Sequence, residues 1–172
     1  MTPADLLTDA LDRVRESVAS VLDGASDDLL VQRPGPDANS IAWLVWHLTR
    51  VLDDHVSDVA GTAQVWTAGG YAERFDLPFD TADIGYGQTS EQVGQVRASA
   101  ALLADYYDAA HAQALGFVGA VTPEGLDRVV DERWDPPVTL GVRLVSVVND
   151  CTQHVGQAAY LRGLLSPASA GA

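Results

Sequence analysis

Asp150 and His154 place a carboxylate and an imidazole four residues apart in an apolar-rich segment, NDCTQHVGQAAYLRGLL (149–165). A spacing of four puts both side chains on one face of a helix, one turn apart. A carboxylate on a buried face is destabilising unless it is paired or coordinated. The pair is therefore a candidate for metal coordination. The alternative is an ordinary ion pair on a solvated helix face, where such pairs are common.

His47 is the candidate third ligand. It lies near the start of a strongly apolar helical segment, SIAWLVWHL (40–48). Two imidazoles and one carboxylate from facing helices, with solvent in the remaining positions, form an open site of the catalytic type. This ligand set suits zinc, nickel or iron(II). The residues alone leave open that His47 is a hydrogen-bonded core histidine.

Three other residues have chemically active side chains but less informative surroundings. His55 in LDDHV and His111 in YDAAHAQ sit among polar residues, and we expect both at the surface. Cys151 points about 100° away from Asp150 around the same helix and lies on the side of Val155. We therefore expect Cys151 to pack in the core.

Four segments have the apolar period of an amphipathic helix, and these elements must position the candidate ligands. They span about 3–23, 40–60, 89–114 and 139–165. Thr2 can cap the first helix, and Asn39 or Ser40 the second. Thr89 and Gln92 match the capping box that starts a third helix. His47 then lies on helix two, and Asp150 and His154 lie on helix four.

The connections between the helices are unequal in length. Residues 62–88 form a long crossover rich in glycine and aromatic residues, and loops of this length are usually functional or disordered. Residues 115–138 form a second link, with a short helix expected at TPEGLDRVV (122–130). The pattern predicts an all-α antiparallel four-helix bundle with a long crossover between helices 2 and 3. We expect one domain over 1–165 and a flexible tail at 166–172.

Composition restricts the function classes. The net charge of −14 argues against binding to nucleic acid or to an anionic membrane surface. All ten basic residues are arginine, which excludes lysine-based Schiff-base chemistry. No apolar run approaches the roughly 20 residues of a membrane span, and no signal-peptide pattern is present. With one cysteine as well, these features predict a cytoplasmic protein.

Four segments resemble the DinB-like superfamily, specifically its mycothiol-transferase-like branch. They are SIAWLVWHLTRVLDDHV, VWTAGGYAERFDLPF, GYGQTSEQV and QHVGQAAYLRGLL. The resemblance covers nearly the whole chain. Its most specific elements are the histidine in an apolar second helix and a carboxylate-or-His-x-x-x-His-x-G-Q run in the last helix.

The resemblance implies a four-helix bundle of the DinB/YfiT-like type with a divalent metal between helices 2 and 4. Its ligands would be His47, Asp150 and His154, with zinc expected first and nickel or iron as alternatives. Many members of the superfamily have histidine at the position of Asp150. A carboxylate there is similar to the related mycothiol-dependent maleylpyruvate isomerases, which use an acidic ligand.

The function implied by the resemblance is S-transfer from a low-molecular-weight thiol, with mycothiol expected, to an electrophilic small molecule. The metal would deprotonate the thiol and so activate it as a thiolate. One alternative is a hydrolase that uses metal-bound hydroxide, which would not need a thiol. Another is a non-enzymatic stress-response binding module whose metal is structural or absent. A homodimer is left open.

Supporting residues are expected around the ligands. Asp54 and Gln157 lie two turns and one turn beyond the predicted ligand on their own helices, where they can orient the two histidines. Four side chains of the crossover are expected to line the mouth of the site: Trp66, Tyr71, Arg74 and Tyr86. Among these, Arg74 is the expected anchor for an anionic group.

Overall fold

The structure is a computed structural model that describes residues 1–166. Its elements, in chain order, are α1 (Pro3–Leu22), α2 (Asp27–Val31), α3 (Ile41–Ala60), α4 (Val65–Ala68), α5 (Tyr71–Phe75), α6 (Ser90–Gln95), α7 (Ala100–Val118), a 3₁₀ helix (Glu124–Asp127), β1 (Val129–Asp131), β2 (Val138–Thr139) and α8 (Leu140–Leu165). Of the predicted tail, only Ser166 lies within the described residues.

Four long helices form the bundle, which confirms the predicted all-α fold and the long crossover. Helices α1 and α3 each pack along both α7 and α8. In α3, every residue from 41 to 53 is buried. A helix that is buried all round must be covered on the side that faces away from the bundle. The crossover between α3 and α6 provides part of that cover, for example by packing Phe79 against Trp46.

The starts of the long helices follow the predicted caps. Thr2 accepts a hydrogen bond in a capping box at the start of α1, and Ser40 caps α3. Thr89 also forms its predicted capping box, but the helix that it starts, α6, ends at Gln95. Ser99 then caps a new helix, α7. The single helix predicted over 89–114 is therefore two helices, because a second cap competes with continuation of the first.

Two buried side chains of α3 fix the path of the crossover. Asp53 accepts hydrogen bonds from the backbone N–H groups of the first two residues of α4, at 2.8 and 2.7 Å. Arg50 donates to the backbone oxygens of Thr81 and Asp83, both at 3.3 Å. The Arg50 and Asp53 side chains are fully buried and lie 3.8 Å apart. The segment that follows Asp83 is thereby held against α3.

The second link contains elements that the periodicity only partly predicts. The short helix expected within 122–130 is present as the 3₁₀ helix. Strands β1 and β2 pair in an antiparallel ladder with Val129 opposite Thr139 and Asp131 opposite Val138. The turn between them presents Trp134 at the surface. Among the described residues, no helix has both the length and the apolar character needed to cross a bilayer.

Two histidines lie deeper than their polar sequence neighbours suggest. His111 is only 5% exposed, and its Nε2 lies 3.1 Å from Oδ1 of Asp12 on α1. It follows the buried Tyr107 by one turn on α7, so helical period decides its burial. His55 is half-buried, with Nδ1 3.1 Å from a guanidinium nitrogen of Arg143. The expectation that both lie at the surface was wrong.

Candidate metal centre

Helices α3 and α8 bring His47, Asp150 and His154 together. Each offers one ligand atom, and these atoms all lie within 4.8 Å of one another. The two imidazole rings are nearly perpendicular, with centroids 4.8 Å apart. Oδ2 of Asp150 lies 3.7 Å from Nε2 of His154. These three residues are hereafter called the triad.

The His47 ring is held by its neighbours on two sides. Its Nδ1 is hydrogen-bonded to the backbone oxygen of Ile84, and its ring stacks on Trp43 with centroids 4.7 Å apart. Trp43 is itself fixed, because its indole N–H donates to Oε1 of Gln88 at 2.7 Å. A carbonyl oxygen can only accept, so Nδ1 carries the proton and Nε2 keeps a free lone pair. This tautomer leaves Nε2 able to coordinate a metal.

Gly85 permits the close approach of the crossover to His47. Its φ is +100°, in the region that L side chains rarely adopt. A Cβ at this position would lie 2.7 Å from Nδ1 of His47, well inside van der Waals contact. Glycine is therefore required here twice, for its backbone angle and for its lack of a side chain.

His154 is oriented by a residue on its own helix. Its Nδ1 lies 3.2 Å from Oε1 of Gln157, one turn further along α8. Donation from Nδ1 to this amide oxygen again leaves Nε2 as the free nitrogen. Gln157 thus lies where the sequence places it, next to the histidine that it is expected to orient.

Asp150 has an oxygen that no protein donor satisfies. Its Oδ1 is buried and has no hydrogen-bond partner among the described residues. A buried carboxylate oxygen without a donor is strongly unfavourable, and most buried polar atoms find a partner. A cation between Asp150 and the two Nε2 atoms would satisfy this oxygen. Two imidazole nitrogens and one carboxylate oxygen are a donor set that fits a divalent transition metal.

The electrostatics of His47 favour the form that coordinates metals. Burial, and to a lesser extent the neighbouring His154, lower the pKa of His47 below its ordinary value. The neutral imidazole is therefore the favoured form near pH 7, and metal coordination requires that form.

Two of the expected supporting side chains differ in their relation to the triad. Tyr86 is 60% exposed, and the edge of its ring packs against His47 with centroids 5.3 Å apart. Asp54 instead accepts a hydrogen bond from Gln64 at 2.7 Å and lies 3.3 Å from Nδ1 of His55. Tyr86 therefore borders the triad, whereas the contacts of Asp54 are with its neighbours on α3 and with the start of the crossover.

The other three residues expected at the mouth of the site contact α7 instead. Trp66 is buried, with its ring 5.2 Å from that of Tyr106 on α7. Tyr71 packs on the same ring at 4.9 Å, and Arg74 forms an ion pair with Asp105 of α7 at 2.7 Å. These contacts join the first half of the crossover to α7. The structure therefore gives Trp66, Tyr71 and Arg74 packing and ion-pair partners away from the triad.

One feature of the site has no side-chain signature in the sequence. The partner of His47 is a backbone oxygen, which any residue at position 84 would supply. The glycine that follows it is the only available signal, because Gly85 marks a place where two backbones or rings approach closely.

The fold and the triad together define a class of protein: a four-helix bundle with two histidines and one carboxylate gathered between two of its long helices. The family described as Mycothiol-S-transferase matches residues 6–167, which is most of the sequence. The chain belongs to this family, which confirms the resemblance to the mycothiol-transferase-like branch of the DinB-like superfamily.

A solved structure from Enterococcus faecalis, described as a conserved protein, has the same fold. It is 34% identical in sequence, with a TM-score of 0.88 over 96% of this chain and 98% of that chain. A comparison with curated proteins finds no match.

Proposed function

We propose that the protein is a divalent-metal-dependent S-transferase that joins a low-molecular-weight thiol of the mycothiol type to an electrophilic small molecule. The observation that carries the proposal is the triad, in which a buried, unpartnered oxygen of Asp150 lies beside two imidazoles. Membership in the Mycothiol-S-transferase family supports the reaction type.

The nucleophilic sulfur in this proposal comes from a cosubstrate. Cys151 is the only cysteine of the chain, it is fully buried, and its Sγ lies 3.5 Å from the backbone oxygen of Leu48. Burial raises the pKa of the Cys151 thiol well above its ordinary value, so it stays protonated. A buried, protonated thiol is not a nucleophile.

The residues of the triad have separate roles in this proposal. A divalent ion held by His47, Asp150 and His154 would supply the positive charge that deprotonates a thiol. Three protein ligands, rather than the four of a structural zinc site, leave room for that thiol. Ile84 and Gln157 accept hydrogen bonds from the two Nδ1 atoms, which leaves both Nε2 atoms free to bind the ion. With monochlorobimane as the electrophile, a sulfur–carbon bond forms, the carbon–chlorine bond breaks, and chloride and the thiol proton are released.

The test combines metal analysis with thiol-dependent turnover. The purified protein is expected to contain about one divalent ion per chain. Conjugation of monochlorobimane is expected to require both the metal and an added thiol, with mycothiol preferred over N-acetylcysteine. Turnover of ester or amide substrates without a thiol would instead identify a hydrolase, and bound metal without turnover of either kind would leave a binding module.

A variant pair ties the activity to the triad. His154→Ala is expected to abolish both metal binding and conjugation while helical content stays unchanged. Asp108→Asn is a suitable control, because it alters an exposed carboxylate of α7 that pairs with Arg15 of α1, outside the triad. Equal metal content in His154→Ala and wild type would remove His154 from the site and overturn the proposal.

A further inference from the structure

A cleft of about 370 Å³ lies next to a side chain that contacts the triad. Tyr86, which packs against His47, lines one side of it. Ser146, one turn before Asp150 on α8, lines another. The link between α7 and α8 contributes Trp134 and its neighbours, and His55 of α3 and Arg143 of α8 also line the wall. The cleft therefore lies beside Tyr86, which contacts His47, and runs along the first turns of α8.

The cleft has an apolar wall that faces solvent. Trp134 is 65% exposed and Val142 is 57% exposed, and Tyr86 is similarly exposed. Most large apolar side chains of this chain are buried, so three exposed ones around a single cleft stand out. Exposed apolar side chains that line a concavity are typical of a ligand site.

Two arginines give the cleft a local positive charge. Arg133 and Arg143 both line it, and both bind Asp131, at 2.8 and 3.2 Å from its Oδ2. Hydrogen bonds from Arg133 hold the pKa of Asp131 well below its ordinary value, so this carboxylate is ionised. His55 also lines the cleft, and it is neutral near pH 7 because burial and the nearby Arg143 lower its pKa. The charges that line the cleft thus sum to one positive charge.

The positive charge of this cleft contrasts with the formal net charge of the whole chain, which is −14. A guanidinium has five N–H donors, and the contacts with Asp131 and His55 leave some of them free on each arginine. A neighbouring hollow shares both arginines but is also lined by Asp54 and Asp58. Those carboxylates disfavour an anion there, so an anionic group is better placed on the apolar side of Arg143.

We propose that this cleft binds a substrate that carries an apolar, aromatic-sized body and a carboxylate, with the body against Trp134 and Val142 and the carboxylate at Arg143 and Arg133. Its assignment as the electrophile of the S-transfer rests on the proposed function. Binding of the carboxylate does not depend on the proposed function, since it requires only the cleft.

Binding can be measured without turnover. The probes are 4-phenylbutyrate and its neutral amide, 4-phenylbutyramide, titrated by calorimetry. Trp134 supplies a second readout, because Trp43, Trp46 and Trp66 are buried and acrylamide will quench mainly Trp134. The carboxylate is expected to bind at least tenfold more tightly than the amide and to protect Trp134 from the quencher.

Variants locate the anion. Arg143→Gln is expected to weaken 4-phenylbutyrate binding at least tenfold and amide binding less than twofold. Because Arg143 is largely buried, Arg133→Gln, at an exposed side chain, is the second variant and is expected to weaken the carboxylate about threefold. Arg74→Gln, which removes an arginine paired with Asp105 outside the cleft, is the control and should bind as wild type.

Several results would overturn the inference. Equal affinity for 4-phenylbutyrate and 4-phenylbutyramide would show that the arginines do not bind the carboxylate. Wild-type binding by both Arg143→Gln and Arg133→Gln would place the anion elsewhere. Asp150→Asn distinguishes the cleft from the triad: binding that persists in this variant supports the cleft, whereas loss of binding there alone would make the carboxylate a metal ligand. If the probes bind as expected but no thiol transfer occurs, the cleft stands and the proposed reaction fails.

Discussion

At the scale of single residues, a substitution of Asp150 tests whether this residue is a metal ligand or an ordinary surface carboxylate. Its Oδ1 is buried without a hydrogen-bond partner among the described residues, and a bound cation would satisfy this oxygen. Asp150→Asn is therefore expected to lower metal affinity at least tenfold, because an amide is a weaker, uncharged ligand. The melting temperature of the metal-free protein should stay the same or rise, since a buried charge is removed. Metal analysis and thermal denaturation of the metal-free variant test both parts.

Asp150→His is the companion to this variant. It restores the ligand type common in the wider superfamily, so the metal should be retained. If Asp150→Asn binds the metal as tightly as wild type, Asp150 is not a ligand. A lower melting temperature for metal-free Asp150→Asn would show instead that the carboxylate has a stabilising partner.

Residue types and spacing made the three residues of the triad candidates, and the family resemblance implied the full ligand set. The i, i+4 relation of Asp150 and His154 fixes their common face, and Gln157 follows from the same helix geometry. The expected role of Asp54 beside His47 did not follow from this geometry. The two residues lie two turns apart, and the Asp54 side chain accepts a hydrogen bond from Gln64 instead. Helical spacing thus predicts neighbours within one turn better than contacts across two.

At the scale of elements, the crossover is the part of the fold that shapes the site. Gly85→Ala is expected to displace the 84–86 segment from α3, because its Cβ would lie 2.7 Å from Nδ1 of His47. Gly87→Ala is a matched control: its φ of +71° gives similar backbone strain, but nothing lies within 4 Å of the added Cβ. Both variants should lose about 1–2 kcal/mol of stability from the backbone strain. Only Gly85→Ala should also lose metal affinity, and equal metal affinities would show that the segment does not orient His47.

Arg50 tests how the crossover is held. Its guanidinium is fully buried and reaches two backbone oxygens of the crossover as well as Asp53. Arg50→Met is expected to reduce the free energy of unfolding by about 3–5 kcal/mol, because it leaves Asp53 without its buried cation. Arg74→Met removes an exposed ion pair and should change stability by about 0–1 kcal/mol. Denaturant titration compares the two variants directly. Similar small losses in the free energy of unfolding would mean that Arg50 does not stabilise the crossover.

The sequence predicted the long helices well and the connections poorly, for physical reasons. Caps at Thr2 and Ser40 are local signals, and they mark the starts of α1 and α3 correctly. The break between α6 and α7 was missed because the cap at Ser99 lies inside an otherwise helical period. The crossover has no period at all, so nothing in its residues distinguished Trp66, which is buried, from Tyr86, which is exposed beside His47.

At the scale of the whole molecule, the histidines link stability to pH. Burial is the main cause that lowers the pKa values of His47, His55 and His111 in the folded chain. Between the ordinary histidine value of about 6.5 and these lower values, the unfolded chain binds more protons than the folded chain. The stability of the metal-free protein is therefore expected to be fully present above about pH 6.5 and to fall as the pH is lowered toward 5. Denaturant titrations of metal-free protein across this range measure the slope.

The double variant His55→Gln/His111→Gln provides the control for this slope. It removes two of the three groups without touching the triad, so its stability should depend less on pH between about 7 and 5. A metal-free protein whose stability is flat across this range would show that the buried histidines titrate as in the unfolded chain.

The division of the triad between α3 and α8 has a consequence for biosynthesis. About 100 residues separate His47 from the other two ligands in the chain. At about 5–20 residues per second, a ribosome adds that stretch in roughly 5–20 s. During this time the nascent chain carries only one of the three residues of the triad. An ion held by all three residues would therefore be captured only after α8 has been made and has packed against α3.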